Sequence, residues 1–190
     1  MRASRWRRSL VAVAAAGLLG FGTSACTSGD DPPKPAPLPT ESPSPTGSSS
    51  EAPPSLPADA GGSSTRAAKA FARHFVDLVN YASATGDVEA INAVASDSCR
   101  VCRGMADGIQ DVYSKGGHLE GDGWRVLGTK VLSGGRENER AISLTLLVSS
   151  QRRYEKPNSE PIVSDEIRGI LDIYMRSTEN SWTISRLVQS

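Results

Sequence analysis

The chain is short of the residues on which chemistry is usually read. Its 190 residues hold three cysteines, two histidines, three tryptophans, three phenylalanines and four tyrosines. So few candidate ligands make no metal-binding set, and no cofactor is expected. Charge of one sign is lacking as well: 21 Lys and Arg balance 21 Asp and Glu. Without a basic excess to release counterions from phosphates, no nucleic-acid partner is expected. Long hydrophobic runs are absent too. The stretch from Leu10 to Phe21 spans twelve residues, short of the roughly 18 to 20 that a membrane-spanning helix needs.

What the chain has is a sharply divided composition. Residues 1–25 are built as a secretory signal. Arg2, Arg5, Arg7 and Arg8 open it without an acidic residue, the apolar stretch comes next, and Ser24 and Ala25 stand directly before Cys26. Small residues before a cysteine resemble a bacterial lipobox, although Thr23 stands where that pattern prefers an aliphatic residue. The resemblance implies that Cys26 becomes the new N-terminus, carries a lipid and holds the protein on the extracytoplasmic face of the cell membrane. Arg7-Arg8 followed by Ser9-Leu10-Val11 also resembles a twin-arginine export signal. The choice between that route and the general one stays open.

Residues 26–64 read as the lipidated cysteine and a tether. Ten of the chain's twelve prolines fall here among many Ser and Gly, with no aromatic residue. Such a stretch buries too little apolar surface to offset its ordering entropy, so it is expected to be disordered. Its prolines make it a semi-stiff spacer reaching up to about 100 Å, at about 3 Å per residue.

Residues 65–190 turn globular, with enough chain for one core. Ser64 or Thr65 caps a first helix on which Phe71, Phe75, Leu78, Val79 and Ala82 form one stripe. Thr85-Gly86 ends it. Asp87 caps a short second helix bearing Val88, Ile91, Val94 and Ala95. Ser96-Asp97-Ser98 offers the cap of a third, with Cys99, Cys102, Ala106, Ile109 and Tyr113 on one side and Gly116-Gly117 closing it. Gly104 and Gly108 weaken its middle. The period then changes from 3.6 to 2. Trp124 and Val126 alternate, and Gly128 marks a bulge that shifts the face to Val131. Ile142, Leu144, Leu146 and Val148 alternate with Ser143, Thr145 and Ser149. After a Lys156-Pro157-Asn158 turn, Ile167, Gly169, Leu171, Ile173 and Met175 share a face, and Trp182 and Ile184 begin a last strand. Helices followed by a four-stranded antiparallel meander predict an α+β domain, the N-terminal helices packed on the sheet.

Three helices and four strands ending in Trp182-Thr183-Ile184-Ser185-Arg186-Leu187 resemble the cone-shaped nuclear transport factor two-like (SnoaL-like) fold. The runs Ala70-Phe71 to Asn80-Tyr81, Thr85-Gly86-Asp87, Cys99 to Cys102 and Gly116-Gly117 resemble an uncharacterised family of actinobacterial lipoproteins. Enzymes of the cone fold place an Asp, His or Tyr in the cavity between helices and sheet. By that resemblance the pocket candidates are Asp77, Tyr81, Tyr113, His118 and Asp172, with Trp124 among the aromatic residues that would line it. None sits in a motif matching the catalytic pairs of such enzymes, so no catalytic residue is assigned. His74, off the centre of its stripe, is expected at the surface or its boundary.

Cys99-Arg100-Val101-Cys102 has three readings. As a structural disulfide it suits an exported protein whose third cysteine carries a lipid. As a redox site it lacks a preceding strand, and as a zinc site it lacks two ligands. The disulfide is the expected state. Gln151-Arg152-Arg153-Tyr154-Glu155-Lys156 is expected to be a solvated strand end. The chain reads as a non-catalytic lipoprotein whose domain binds an unknown protein or small apolar ligand. A small-molecule acid–base enzyme of the cone fold is the alternative, and the resemblance to cone folds implies a homodimer through the sheet face.

Overall fold

A computed structural model describes residues 52–133, 138–179 and 181–189. The leader, Cys26 and the tether as far as residue 51 lie outside the described residues. Among the described residues three helices, α1 (Thr65–Thr85), α2 (Glu89–Val94) and α3 (Arg100–Ser114), precede seven strands. The strands are β1 (His118–Glu120), β2 (Trp124–Leu132), β3 (Glu139–Val148), β4 (Gln151–Tyr154), β5 (Ile162–Ser164), β6 (Ile167–Ser177) and β7 (Trp182–Gln189). The architecture is α+β, all strand pairing within the sheets is antiparallel, and helices pack on the larger sheet. Among the described residues no helix is long and apolar enough to cross a membrane.

Seven strands replace the four expected because each of three long strands is interrupted once. The larger sheet runs β2-β3-β6-β7 and the smaller β1-β4-β5. One register carries through both. Val148 pairs with Ile167 and Gln151 with Ser164, so β3–β4 and β5–β6 keep step across the break. Trp124 pairs with Val148 and Glu120 with Arg152, so β1 and β2 do the same. The break falls at Gly121–Gly123, Ser149–Ser150 and Asp165–Glu166. Gly121 and Gly123 have φ of 146° and 75°, where a side chain is strained. Side-chain direction reverses across it. Above the break even-numbered Ile142, Leu144 and Leu146 face the core. Below it odd-numbered Leu119, Gln151 and Arg153 line a cleft against α3.

The local signals are met in detail. The Ser64 hydroxyl accepts a hydrogen bond from Ala67 N–H at 3.1 Å and caps α1. Gly86, left-handed at φ 79°, ends it and donates its N–H to Ala82 at 2.8 Å. The register slips between Val126 and Gly128, which is the expected bulge. Phe71, Phe75, Leu78, Ile142, Leu144, Leu171, Ile173, Met175 and Ile184 are fully buried and fill the space between α1 and the sheet.

Three expectations are corrected. The packed chain starts ahead of Thr65: residues Ala58–Ala60 form a 3-10 turn against α1, and Ala60 is fully buried. His74 is 4% exposed, not a surface residue, because α1 buries eleven residues and not one stripe alone. The cap of α3 is Cys99, whose Sγ accepts from Cys102 N–H at 3.3 Å, rather than Ser96, Asp97 or Ser98. The shift of face to Val131 holds: it shares the core face with its partner Ile142 and, on the edge strand, is partly exposed.

Candidate functional site

The residues singled out from the sequence do not converge on one cavity. Trp124 pairs with Val148 on the helix-facing side, whereas Asp172 alternates with buried Leu171 and Ile173 and lies on the outer face. Asp172 Oδ1 has no hydrogen-bond partner there, beside Lys130 and Thr145. Tyr81 donates its hydroxyl to Asp87 at 3.0 Å, and Tyr113 to the Ser83 carbonyl at 2.6 Å. Both tie the end of α1 to later segments of the chain. His118 is exposed, stacks on Tyr154 with ring centroids 4.4 Å apart, and sets Nε2 3.3 Å from Glu120. Arg152 and Arg153 are exposed, as a solvated strand end requires.

Asp77 is exposed on α1 one turn from buried His74. Burial lowers the His74 pKa, opposed by the Asp77 charge. Partial desolvation raises that of Asp77, opposed by His74. Burial also raises the Tyr113 hydroxyl, opposed by its hydrogen bond from Leu119 N–H. His74 Nδ1 has no partner. Burial resists charging of the imidazole, and the side chains around it between α1 and the sheet are buried in the core cluster. Among the described residues, no three His, Cys, Asp or Glu side chains gather to hold a metal ion. Cys99 and Cys102 are joined by a disulfide and buried at the start of α3.

The better site lies where the sheet breaks. A cleft of about 340 Å³ opens between α3 and the smaller sheet, lined by Gly104, Met105, Gly108, Ile109, Leu119 and Ile162 among others. Gly104 and Gly108 have open space where a Cβ would stand, so they form a smooth wall rather than a packing contact. A second, mostly apolar cleft of about 300 Å³ lies across the break, lined by Trp124, Leu146, Val148 and Ile167. Between them runs a backbone edge. Among the described residues β5 pairs only with β4, and β6 gains β7 as a neighbour only from Leu171 onward. Residues 162–170 thus expose one row of peptide groups. On that row Val163 is 61% exposed, Ile167 59%, Ile162 46% and Ile170 44%. An unpaired edge with exposed β-branched residues is a template for another strand.

Sequence reasoning missed this edge, His74 and Asn80. A signal for the edge was present: apolar Ile162-Val163 and Ile167 to Ile170 flank Asp165-Glu166, a charged interruption of the kind that guards an exposed strand. Asn80 carried no signal, since its partner Trp124 is 44 residues away.

Residues 42–186 match the family described as Family of unknown function (DUF6318). No curated protein matches the chain. Among solved structures, the intermembrane space region of chloroplast protein ARC6 is similar at 13% identity, over 66% of this chain and 95% of that one, with TM-score 0.52. At that identity the likeness is one of fold alone. A chain named Rd1NTF2_05, with five substitutions, aligns at 11% identity over 65% of this chain and 96% of that one, with TM-score 0.36, too loose to bear on the fold.

Proposed function

We propose, for a chain that belongs to the family of unknown function DUF6318, a non-catalytic docking domain that takes a protein strand along its free edge. In this reading a lipid on Cys26 holds the domain at the extracytoplasmic face of the membrane, and the proline-rich tether sets it out from the surface. The observation that carries the docking role is the row of unpaired peptide groups over residues 162–170 with its four exposed apolar side chains. Backbone hydrogen bonds would supply affinity along that row, and the clefts on either side, one mixed and one mostly apolar, would select side chains. The address draws on the basic leader, the small residues before Cys26, and the closed Cys99–Cys102 pair, which suits an oxidising compartment. The helices-on-sheet frame accords with the cone fold that the sequence resembles.

A small-molecule acid–base enzyme is the second reading. It draws on buried His74 and its neighbour Asp77, where burial moves the imidazole down and the carboxyl up from their ordinary values. Native mass spectrometry of the exported protein separates the two. A bare polypeptide mass, or a mass explained by protein subunits, supports docking. A reproducible small-molecule mass lost on denaturation favours the enzyme and sinks the docking role. For the anchor, Cys26→Ser releases the protein to the soluble fraction; continued membrane retention refutes it.

A further inference from the structure

Resting on the docking role of the free edge, we infer that its occupant is a second copy of this chain, paired antiparallel through the same residues. Four of the eight large hydrophobic side chains exposed among the described residues fall within residues 162–170. The stretch is complementary to itself. Antiparallel pairing of residues 163–170 with their copy sets Val163 opposite the copy's Ile170 and Asp165 opposite its Arg168. The two-fold axis makes each pair twice.

The faces agree. Val163 lies on the side away from α3, beside Glu120 and Arg152. Ile170 lies on the outer face, beside Thr145 and Asp172. In an unbroken strand residues seven apart point to opposite faces, and the reversal at the sheet's break brings these two to one. Gln189 of β7 pairs with Leu171, so a copy's strand paired with residues 163–170 adjoins β7 without displacing it. Anchoring both copies to one membrane raises their effective concentration. This contact is at the strand edge, not the sheet face that the resemblance to cone folds implied.

The test places the photo-crosslinker p-benzoyl-phenylalanine at position 163 of the full, membrane-anchored chain and irradiates the cells that make it. The expected product has twice the chain's mass. Asp165→Arg or Arg168→Asp alone sets like charges opposite one another at two places and lowers the yield roughly tenfold. The double variant restores it, which shows that the single variants were folded. A missing self-product, or a double variant no better than the singles, overturns the pairing. A product of any other mass also overturns it but leaves the edge a docking site. No product at all removes the docking role as well.

Discussion

The Asn80 side chain holds the Trp124 backbone at both of its polar groups. Oδ1 accepts the Trp124 N–H at 2.7 Å, and Nδ2 donates to the Trp124 carbonyl at 2.9 Å. A planar amide thereby stands in for a neighbouring strand and locks α1 to the start of β2, immediately after the sheet's break. Gly123 makes room for it, since a Cβ there would lie 2.6 Å from Asn80 Oδ1.

Asn80→Ala leaves both partly buried backbone groups without this partner and is expected to cost about 1–3 kcal/mol. Urea unfolding monitored by tryptophan fluorescence reads the loss. Asn80→Asp keeps the acceptor but loses the donor, and should fall between the two. A wild-type midpoint for Asn80→Ala would show that the contact carries no stability.

Gly86 ends α1 at φ 79° with the Tyr113 ring packed where its Cβ would be, while Gly62 has φ 81° and open space. Gly62→Ala therefore meets only the backbone strain, about 1 kcal/mol. Gly86→Ala meets the same strain and must also displace Tyr113, breaking its hydrogen bond to Ser83. Denaturant midpoints should rank wild type, Gly62→Ala and Gly86→Ala in falling order. Equal midpoints for the two variants would remove the contact from the explanation.

Burial holds the His74 pKa below its ordinary value of 6.5. The unfolded chain then takes up a proton at a higher pH than the folded one. Stability from neutral His74 is present above the unfolded value and is lost as pH falls through the folded one. Asp77, raised from 3.8, works in the opposite sense, with stability present below 3.8 and lost as pH rises through its folded value. Melting temperature should drop between pH 7.5 and 5.5 in wild type and drop less in His74→Gln. Identical pH profiles would mean that His74 charges freely in the folded protein.

The Cys99–Cys102 bridge closes a loop with a sequence separation of 3, so its loss should cost at most about 2 kcal/mol in the chain-entropy view. Cys99→Ser with Cys102→Ser is expected to fold, with a melting temperature lower by roughly 5 to 10 °C. After reduction, both sulfurs should alkylate slowly until the protein is denatured, because the two residues are 1% and 0% exposed. Rapid alkylation of the folded, reduced protein would point to an accessible redox pair.

Particular residues show how far the sequence could be read. The stripe from Phe71 to Ala82, the alternation of Ile142, Leu144 and Leu146, the Ser64 and Gly86 caps and the bulge beside Gly128 were all legible. Each is set by neighbours within a few residues in the chain. His74 was misread because periodicity reports one apolar face, whereas α1 buries eleven residues spread over more than one stripe. The pocket residues scattered because a strand's alternation does not say which side the helices cover: Asp172 sits in step with Ile170, on the outer face.

Side-chain periodicity and capping are local, so the chain's own order of residues was enough to specify the elements, their succession and the apolar face of each. Only three-dimensional packing could set the rest: that three strands break along one line, that side-chain direction reverses there, and that β7 pairs with β6 from Leu171 onward. Those outcomes depend on where distant segments end against one another. The charged interruption at Asp165-Glu166 fits an edge, but which neighbour a strand gains is decided by residues outside it.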